Sequence, residues 1–367
     1  MDNLDNKKAI NLLCVTQKPV EALNRVVKRK KGKKDLSDSE IFSSFAYHYK
    51  IIRIKDMEKS TGKPYVVGMD IGGTNTVMGI VDQQGNILAT DAVKTGQYEQ
   101  VEEYVEAVCA KLIPLIENHG GAENFRGIGI GAPNANYYRG TIEQAPNLPW
   151  KGIVPLAEMF KQKIGIPVAM TNDANAAALG EMTYGAARGM KDFIMITLGT
   201  GVGSGIVING QMVYGHDGFA GELGHVCVDR SPEARLCGCG RRGCLETYCS
   251  ATGVARTARE VMGEELTSKE VYDAAVKGDE RALEIFRRTG ETLGRAIVDF
   301  IAFSSPEAVI LFGGLTKAGE YIMRPIREAV EANVMPIFKG KTKIILSELK
   351  DADAAVLGAS ALGWEAK

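Results

Sequence analysis

The segment RLCGCGRRGCLETY (residues 235–248) places three cysteines within eight positions, a spacing that could serve a metal ion, a disulfide or redox chemistry. A redox pair prefers C-x-x-C, which the segment lacks, and an iron–sulfur cluster prefers four cysteines. Three cysteines with one histidine form the ligand set of a tetrahedral zinc ion, and a site with four protein ligands is structural. The predicted ligands are His225, Cys237, Cys239 and Cys244.

A bound ion would also hold the residues next to its ligands. Glu246 follows the last of these cysteines by two positions, and Glu222 precedes His225 by three. Cys227 and Cys249 are near in sequence, and either could replace one ligand. With Cys244 and His225 bound to the metal, we expect Glu222, His225 and Glu246 to form a rigid rim.

Two segments share one plan, an apolar strand, a glycine-rich turn and a second apolar strand: YVVGMDIGGTNTVMGIVD (65–82) and FIMITLGTGVGSGIVING (193–210). Outward-facing amides in such turns bind anions, because no Cβ atom blocks the approach. Two facing turns would hold a chain of phosphates, and two glycine hairpins without a ligand are the alternative. Neither segment has the spacing of a Walker loop or of a dinucleotide fingerprint. The candidate phosphate-binding residues are Gly72, Gly73, Thr74, Asn75, Thr200, Gly201 and Gly203.

Acidic residues stand at the ends of two predicted strands. Asp70 lies at the start of the first glycine turn. There it would hold Mg²⁺ through water, because Mg²⁺ keeps much of its hydration shell. Asp173 follows Asn172 where a strand leads into a helix. A carboxylate there can act as a general base on an attacking hydroxyl, but Asn and Asp at such a place can also serve only as helix caps.

Strands alternate with helices from residue 64 onward, which predicts α/β layers. Strands are also expected in GIGIGAP, PVAMTND, AVILFGG and KIILSEL, and long helices at roughly 279–304 and 316–334. The 367 residues suffice for two domains. No run approaches the ~20 apolar residues of a membrane span, and the first residues do not resemble a signal peptide. We therefore expect a cytoplasmic protein with reduced thiols.

Charge is distributed unevenly. Residues 1–60 contain 14 lysines and arginines against 8 acidic residues, whereas the whole chain has a formal net charge of −1. A basic stretch can bind nucleic acid, but we favour a poorly ordered, solvated extension. Met57 would also make a reasonable native start.

The motifs DIGGTNT, TNDANAAALGE, TLGTGVGSGIV, GELGH and CGCGRRGCLE resemble those of the ROK family of sugar kinases and repressors, and occur in that family's order over residues 64–367. Within the family, the chain is most similar to the bacterial glucokinases. The resemblance implies an α/β fold of the actin-like ATPase (ribonuclease H-like) type, with two domains around a central cleft. Residues 64–174 would form the smaller domain and residues 175–367 the larger one with the zinc site, with the last helix packing back on the first domain.

The resemblance further implies ATP and Mg²⁺, and D-glucose as the phosphate acceptor at its 6-hydroxyl. Kinases for N-acetylmannosamine, N-acetylglucosamine, allose or fructose are alternatives that the motifs do not exclude. Asp173 would be the base, and the adenosine would lie near Gly313 and Gly314, although glycines between a strand and a helix are common in α/β proteins. Asn147, in QAPNLPW, could also be an ordinary turn residue. The residues that match the family's sugar contacts are Asn147, Asn172, Asp173, Glu222, His225 and Glu246.

The repressor branch of the family carries a helix-turn-helix before the kinase-like body. Residues 1–60 show no convincing pair of capped amphipathic helices around a turn, and Asp70 and Asp173 are both present. We therefore expect an enzyme whose partners are a small sugar and ATP, without nucleic acid or a membrane. The resemblance also implies a homo-oligomer, either a dimer or a tetramer.

Overall fold

The computed structural model describes residues 62–367, apart from the side chains of residues 351 and 352. The basic extension of residues 1–60 and Met57 lie outside the described residues. The strands are β1 (Tyr65–Ile71), β2 (Thr76–Asp82), β3 (Ile87–Val93), β4 (Phe125–Gly131), β5 (Ala135–Asn136), β6 (Thr141–Glu143), β7 (Ile153–Val154), β8 (Val168–Thr171), β9 (Phe193–Leu198), β10 (Val202–Ile208), β11 (Gln211–Met212), β12 (Ala308–Phe312) and β13 (Lys343–Leu346). The α-helices are α1 (Val101–Asn118), α2 (Leu156–Ile164), α3 (Asp173–Tyr184), α4 (Glu246–Cys249), α5 (Ala251–Met262), α6 (Ser268–Val276), α7 (Glu280–Ser304), α8 (Glu320–Asn333) and α9 (Asp351–Gly363).

Two five-stranded sheets have the same connectivity. The strand order is β3-β2-β1-β4-β8 in the first sheet and β11-β10-β9-β12-β13 in the second. Each sheet starts from an antiparallel hairpin, β1–β2 or β9–β10, and continues through two strands that pair in parallel. The two glycine-rich segments form these hairpins, at equivalent places. This duplication is the actin-like ATPase arrangement, so the predicted fold class is confirmed.

The first sheet is buried on both faces. On one face, apolar residues recur along α1 at helical spacing and pack against the sheet, among them Val105, Val108 and Leu112. On the other face, α9 lies so close that a Cβ atom on Gly68 would come within 2.1 Å of the Val356 carbonyl oxygen. Glycine on this central strand is therefore needed for the helix to reach the sheet.

Helix α3 connects the two sheets. It follows β8 of the first sheet but packs against β10 of the second, where a Cβ atom on Gly205 would lie 2.7 Å from Ala178 Cβ. On its other side it crosses α9 closely, since a Cβ atom on Gly180 would lie 2.8 Å from Gly358 Cα. Small side chains on α3 thus bring its first turn, which begins at Asp173, between the ends of both sheets.

Some elements differ from the expectation. The helix expected at 316–334 begins as a 3-10 helix, Gly314–Ala318, and α8 starts only at Glu320, because Gly319 has a φ of +58° and interrupts the spiral. The small sheet β5-β6-β7 and the helices α5 and α6 were not expected from the sequence.

Among residues 62–367, no helix has both the length and the hydrophobicity needed to cross a bilayer.

Candidate active site

Asp70 and Asp173 come together at one edge of the first sheet. In the strand register, Asp70 of β1 lies beside Gly131 of β4, which lies beside Thr171 of β8, two residues before Asp173. A Cβ atom on Gly131 would be 3.7 Å from both Asp70 Oδ1 and Asp173 Cα. The carboxyl ends of neighbouring parallel strands therefore bring the two predicted acidic residues to the same place.

Both acids are poorly solvated. Burial, and secondarily the charge of Asp173, raise the pKa of Asp70 to about 6. Asp173 keeps an exposed surface, yet protein surrounds it on most sides, and this desolvation raises its pKa above the usual aspartate range. A side chain that is accessible and poorly solvated lines a concave surface. A carboxylate with a raised pKa is a stronger proton acceptor, as a general base requires.

Asn172 is the helix cap that the sequence allowed. Its Oδ1 accepts a hydrogen bond from the Asn175 amide at 2.7 Å, at the N-terminus of α3. Asp173 is the first residue inside the helix, and its Oδ1 accepts from the Ala174 amide at 2.9 Å. The cap uses only the side-chain oxygen of Asn172. The side-chain NH₂ group of Asn172 is therefore left for another partner.

The four predicted metal ligands converge. One ligand atom from each of His225, Cys237, Cys239 and Cys244 lies within 4.8 Å of all the others. Cys239 Sγ and Cys244 Sγ are 3.7 Å apart, and His225 Nδ1 lies 3.6 Å from Cys237 Sγ. A tetrahedral ion with Zn–S bonds of about 2.3 Å separates its sulfur ligands by about 3.8 Å, so the residues fit this ion. Nδ1 is the ring nitrogen of His225 that faces Cys237 Sγ, which leaves Nε2 for a second contact.

The two alternative cysteines lie outside this set. Cys227 Sγ donates to the Asp229 carbonyl oxygen at 3.2 Å. Cys249 is fully buried, and its Sγ donates to the Thr289 carbonyl oxygen of α7 at 3.5 Å. Both thiols therefore have other partners in this structure.

Arg235 fastens the cysteine segment to helices α4 and α5. Its Nε and Nη2 bind the carboxylate of Glu260 at 3.0 and 2.6 Å, and Nη1 donates to two backbone oxygens of Thr247 and Gly253. Nη2 also donates to Thr257 Oγ1 at 2.9 Å. All the donors of this guanidinium are used, so it holds the cysteine segment against α4 and α5 in one orientation.

The rim carboxylates lie beside these ligands. Glu246 Oε1 is 3.5 Å from Cys237 Sγ, and its Oε2 accepts from the Val202 amide at 3.1 Å. Glu222 is partly open to solvent, but desolvation raises its pKa. The charge of His225 acts to lower this pKa, whereas the charges of Asp173 and Glu246 act to raise it. Glu222 thus lies within electrostatic range of Asp173 and of both other rim residues.

The first glycine turn is closed by a hydrogen bond from the Gly72 amide to the Asn75 carbonyl oxygen at 2.9 Å, with Thr74 and Asn75 exposed at its tip. A Cβ atom on Gly73 would come within 2.3 Å of the Asn147 carbonyl oxygen. Asn147 therefore contacts the turn through its backbone, while the residue itself remains exposed.

Thr76 anchors the strand that leaves this turn. Its hydroxyl is buried and lies 2.8 Å from Thr95 Oγ1 and 2.7 Å from the Tyr104 hydroxyl. Sequence reasoning missed this trio, although a threonine that directly follows a glycine turn is a recognisable signal.

The second glycine turn exposes Gly199 and Thr200 and is closed by a hydrogen bond from the Gly199 amide to the Gly201 carbonyl oxygen at 3.1 Å. Gly203 is not part of the turn. It lies within β10, its amide donates to Thr197 Oγ1 at 3.2 Å, and a Cβ atom on it would lie 2.9 Å from Ala174 Cβ. The structure thus gives Gly203 a packing role against α3.

Gly313 lies next to this second turn. It follows β12 with a φ of +111°, and a Cβ atom on it would be 2.6 Å from the carbonyl oxygen of Leu198, the last residue of β9. A Cβ atom on Gly314 would have nothing within 4 Å. Open space therefore adjoins the exposed tip of the turn, at the place where the sequence predicts the adenosine.

Comparison with known proteins agrees with this arrangement. A model of the ROK family matches residues 66–366. The chain belongs to the ROK family. A glucokinase of Thermotoga maritima is 37% identical over 312 residues, 81% of this chain and 96% of that protein. A crystal structure of a ROK family glucokinase from Streptomyces griseus, in complex with glucose and AMPPNP, has a TM-score of 0.66 at 33% identity, and the match covers 82% of this chain and 99% of that one. A xylose repressor of Caldicellulosiruptor bescii is 32% identical over 250 residues, 64% of this chain and 62% of the repressor.

Two further residues of this ROK protein were missed by sequence reasoning. Ser204 and Asn175 are 2% and 1% exposed, and both lie near Gly221, the residue before Glu222. Asn175 Oδ1 has no partner among the described residues. A polar residue between apolar strand positions, as in VGSGI, was the available signal for Ser204.

Proposed function

We propose that this ROK protein transfers the γ-phosphoryl group of ATP to the 6-hydroxyl of D-glucose. The observation that carries the proposal is the environment of Glu222, which lies within electrostatic range of Asp173, His225 and Glu246 together. The proposed sugar-binding groups and the proposed base therefore act on the same small volume. The glucokinases among its relatives support glucose as the acceptor.

In the proposed reaction, the Asp173 carboxylate accepts the proton of the 6-hydroxyl while that oxygen forms a bond to the γ-phosphorus. The bond from the γ-phosphorus to the bridging β–γ oxygen breaks, and ADP leaves with the electron pair. The desolvation that raises the pKa of Asp173 supports this role. Phosphoryl transfer needs alignment of the hydroxyl and electrostatic stabilisation of the transferred group above all, and such a base adds to the alignment.

The two glycine turns would hold the phosphates through their outward-facing amides. Asp70 would hold Mg²⁺ through water, since its carboxylate lies between the first turn and Asp173. The ion would neutralise the charge that develops on the transferred group. Gly313 and Gly314 would border the adenosine, next to the second turn.

We further propose that His225, Cys237, Cys239 and Cys244 hold a structural zinc ion. All four positions of the ion would be filled by protein, so the metal supplies rigidity only. It would fix His225 and Glu246, whose positions decide which hydroxyls of a sugar find partners. An unpaired buried donor or acceptor costs about 1–3 kcal/mol, so a rigid rim discriminates between sugars. Such a thiolate site requires reduced cysteines, which fits a cytoplasmic protein.

A coupled ADP-release assay tests the proposed function. The acceptor panel is glucose, fructose, allose, N-acetylglucosamine and N-acetylmannosamine, each at several concentrations with ATP and Mg²⁺. We expect the highest kcat/KM with glucose. A higher kcat/KM with an N-acetylhexosamine or another hexose would keep the kinase and change its substrate, and no ADP release with any sugar would refute both.

A sugar-responsive repressor is the second candidate, because xylose repressors are also among the relatives. The match spans 96% of the Thermotoga maritima glucokinase but only 62% of the Caldicellulosiruptor bescii repressor, which favours the kinase. A DNA mobility-shift assay at several salt concentrations distinguishes the two. If the protein is a repressor, the full chain binds DNA and a chain that starts at Met57 does not. In that case no ADP is released with any sugar.

A further inference from the structure

Ser204 occupies a position where an apolar side chain would be expected. It lies on β10 between Val202 and Ile206, which point to the same face of the strand because side chains alternate. Both neighbours belong to the large core of the second sheet, and Ser204 itself is 2% exposed. A buried hydroxyl in an apolar row needs hydrogen-bond partners, and its partners show what it holds in place.

Those partners are the two residues that flank Glu222. The Ser204 hydroxyl donates to the carbonyl oxygen of Gly221 and accepts from the amide of Leu223 at 3.1 Å. One side chain therefore binds the backbone directly before and directly after the rim carboxylate. This contact sets the direction in which the side chain of Glu222 projects, directly before the 3-10 helix Leu223–His225.

The same segment has no room to shift. Gly221 has a φ of +94°, and a Cβ atom on it would lie 3.3 Å from the Ser204 carbonyl oxygen. A Cβ atom on Gly224 would lie 2.0 Å from the Val202 carbonyl oxygen. The backbone that carries Glu222 and His225 is thus pressed against the first residues of β10.

β10 also holds the other rim carboxylate, since the Val202 amide donates to Glu246 Oε2. The strand begins directly after the second glycine turn. The first three residues of β10 therefore support both rim carboxylates as well as one end of the proposed phosphate-binding turn.

We propose that Ser204 is a positioning residue for sugar recognition, acting through Glu222. This rests on the proposed sugar-kinase function and adds a residue without direct sugar contact to it. The Ser204 hydroxyl holds the Glu222 carboxylate in place before and during the reaction. Loss of the hydroxyl therefore weakens sugar binding in the ground state and the transition state alike. Such a loss raises the KM for sugar and leaves kcat nearly unchanged.

The test compares Ser204→Ala with Ser360→Ala in the full chain. Ser360 is a matched control, since it is fully buried, and its hydroxyl donates to the Leu357 carbonyl oxygen on α9, away from the rim. Glucose KM, ATP KM, kcat and thermal midpoint are measured for each, and glucose affinity is measured by calorimetry without ATP. The loss of one positioning hydrogen bond corresponds to roughly a tenfold loss of affinity.

We expect Ser204→Ala to raise the KM and Kd for glucose about tenfold, with ATP KM and kcat within about twofold of wild type. Ser360→Ala should lower the thermal midpoint similarly and leave both glucose constants unchanged. Ser204→Cys keeps the shape of the side chain with a slightly larger and weaker donor, and it should give a smaller loss in the same direction. This variant also supplies the comparison if the alanine variant does not fold.

The proposal is refuted if glucose KM and Kd change no more in the Ser204 variants than in Ser360→Ala, or if ATP KM rises in parallel. Failure of the proposed function would look different, because the wild-type protein would then release no ADP with any sugar. Normal wild-type turnover with unchanged Ser204 variants would contradict only the role of Ser204.

Discussion

The Glu246 carboxylate joins two parts of the site: its Oε2 accepts a hydrogen bond from the Val202 amide at 3.1 Å, while its Oε1 lies 3.5 Å from Cys237 Sγ. Val202 is the first residue after the second glycine turn, and Cys237 is a predicted metal ligand. A Cβ atom on Gly201 would come within 2.2 Å of the same Oε2 atom. The turn proposed to bind the phosphates and the rim proposed to bind the sugar thus meet at one carboxylate.

Gly201→Ala should displace Glu246, because the new methyl group would occupy the place of Oε2. We expect a rise of about tenfold in the glucose Kd, measured by calorimetry without ATP. Gly199→Ala is the matched control on the same turn, since a Cβ atom there meets nothing within 4 Å. Equal glucose affinity in the two variants would show that the contact between Gly201 and Glu246 does not matter for sugar binding.

Asp173→Asn should lower kcat at least about 100-fold, because the amide cannot accept a proton from the sugar hydroxyl. The substitution keeps an oxygen that can accept from the Ala174 amide, so glucose affinity should stay within a few-fold of wild type. Steady-state kinetics and calorimetry together check this. Asp192→Asn, at another aspartate that accepts a backbone hydrogen bond, is the control and should keep its turnover. Near-native kcat in Asp173→Asn would remove Asp173 as the base.

Asp70→Asn should stabilise the protein at neutral pH in the absence of nucleotide and Mg²⁺. The pKa of Asp70 is raised to about 6 from its ordinary value of 3.8, so the folded state favours the protonated acid. Its stabilising contribution is complete below about pH 3.8 and is lost as the pH rises through about 6. The neutral amide avoids this loss, so we expect a gain of about 1–3 kcal/mol at pH 7.5 that shrinks toward pH 4, measured by denaturant unfolding.

Asp82→Asn provides a control of opposite sign. Partial burial acts to raise the pKa of Asp82, but hydrogen bonds from Asn86 and Gln84 outweigh it and hold the pKa below its usual value. Asp82→Asn should therefore destabilise the protein equally at pH 7.5 and pH 5. A gain at neutral pH in both variants would mean that the effect reflects net charge and not the local environment of Asp70.

Cys239→Ser should lower the zinc content and the thermal midpoint, because three remaining ligands hold the ion weakly. Metal analysis of the purified protein and thermal unfolding measure the two effects. Cys227→Ser is the matched control, since its thiol lies near the cluster but donates to the Asp229 carbonyl oxygen, and it should retain one zinc per chain. Loss of zinc in the Cys227 variant with retention in the Cys239 variant would reverse the ligand assignment.

The convergence of His225 with Cys237, Cys239 and Cys244 and the two glycine turns were predictable, because each depends on residues that are close in sequence. The duplicated sheet topology followed from the same strand–turn–strand pattern. Asp173 was found because a strand end before a helix places a side chain at the sheet edge. In these cases local spacing determines the position in space.

Other features depend on contacts between distant segments. Nothing in the sequence pairs the Val202 amide with Glu246, or Ser204 with the backbone around Glu222, because the intervening chain decides whether they meet. Gly203 was grouped with the second glycine turn because glycines alternate along GTGVGSG, yet it lies within β10 and packs against Ala174. Asn172 could not be assigned to a cap from sequence alone, since a cap and a binding residue use the same residue types at the same place.

Helix α9 has a consequence for the order in which the chain folds. Its backbone covers Gly68 and Gly129, which belong to strands that the ribosome completes more than 200 residues earlier, as the residue numbers show. Until α9 emerges, the N-terminal sheet lacks the layer that shields one of its apolar faces. We therefore expect nascent chains of this protein to present that surface to chaperones until α9 has been synthesised and can pack on the sheet.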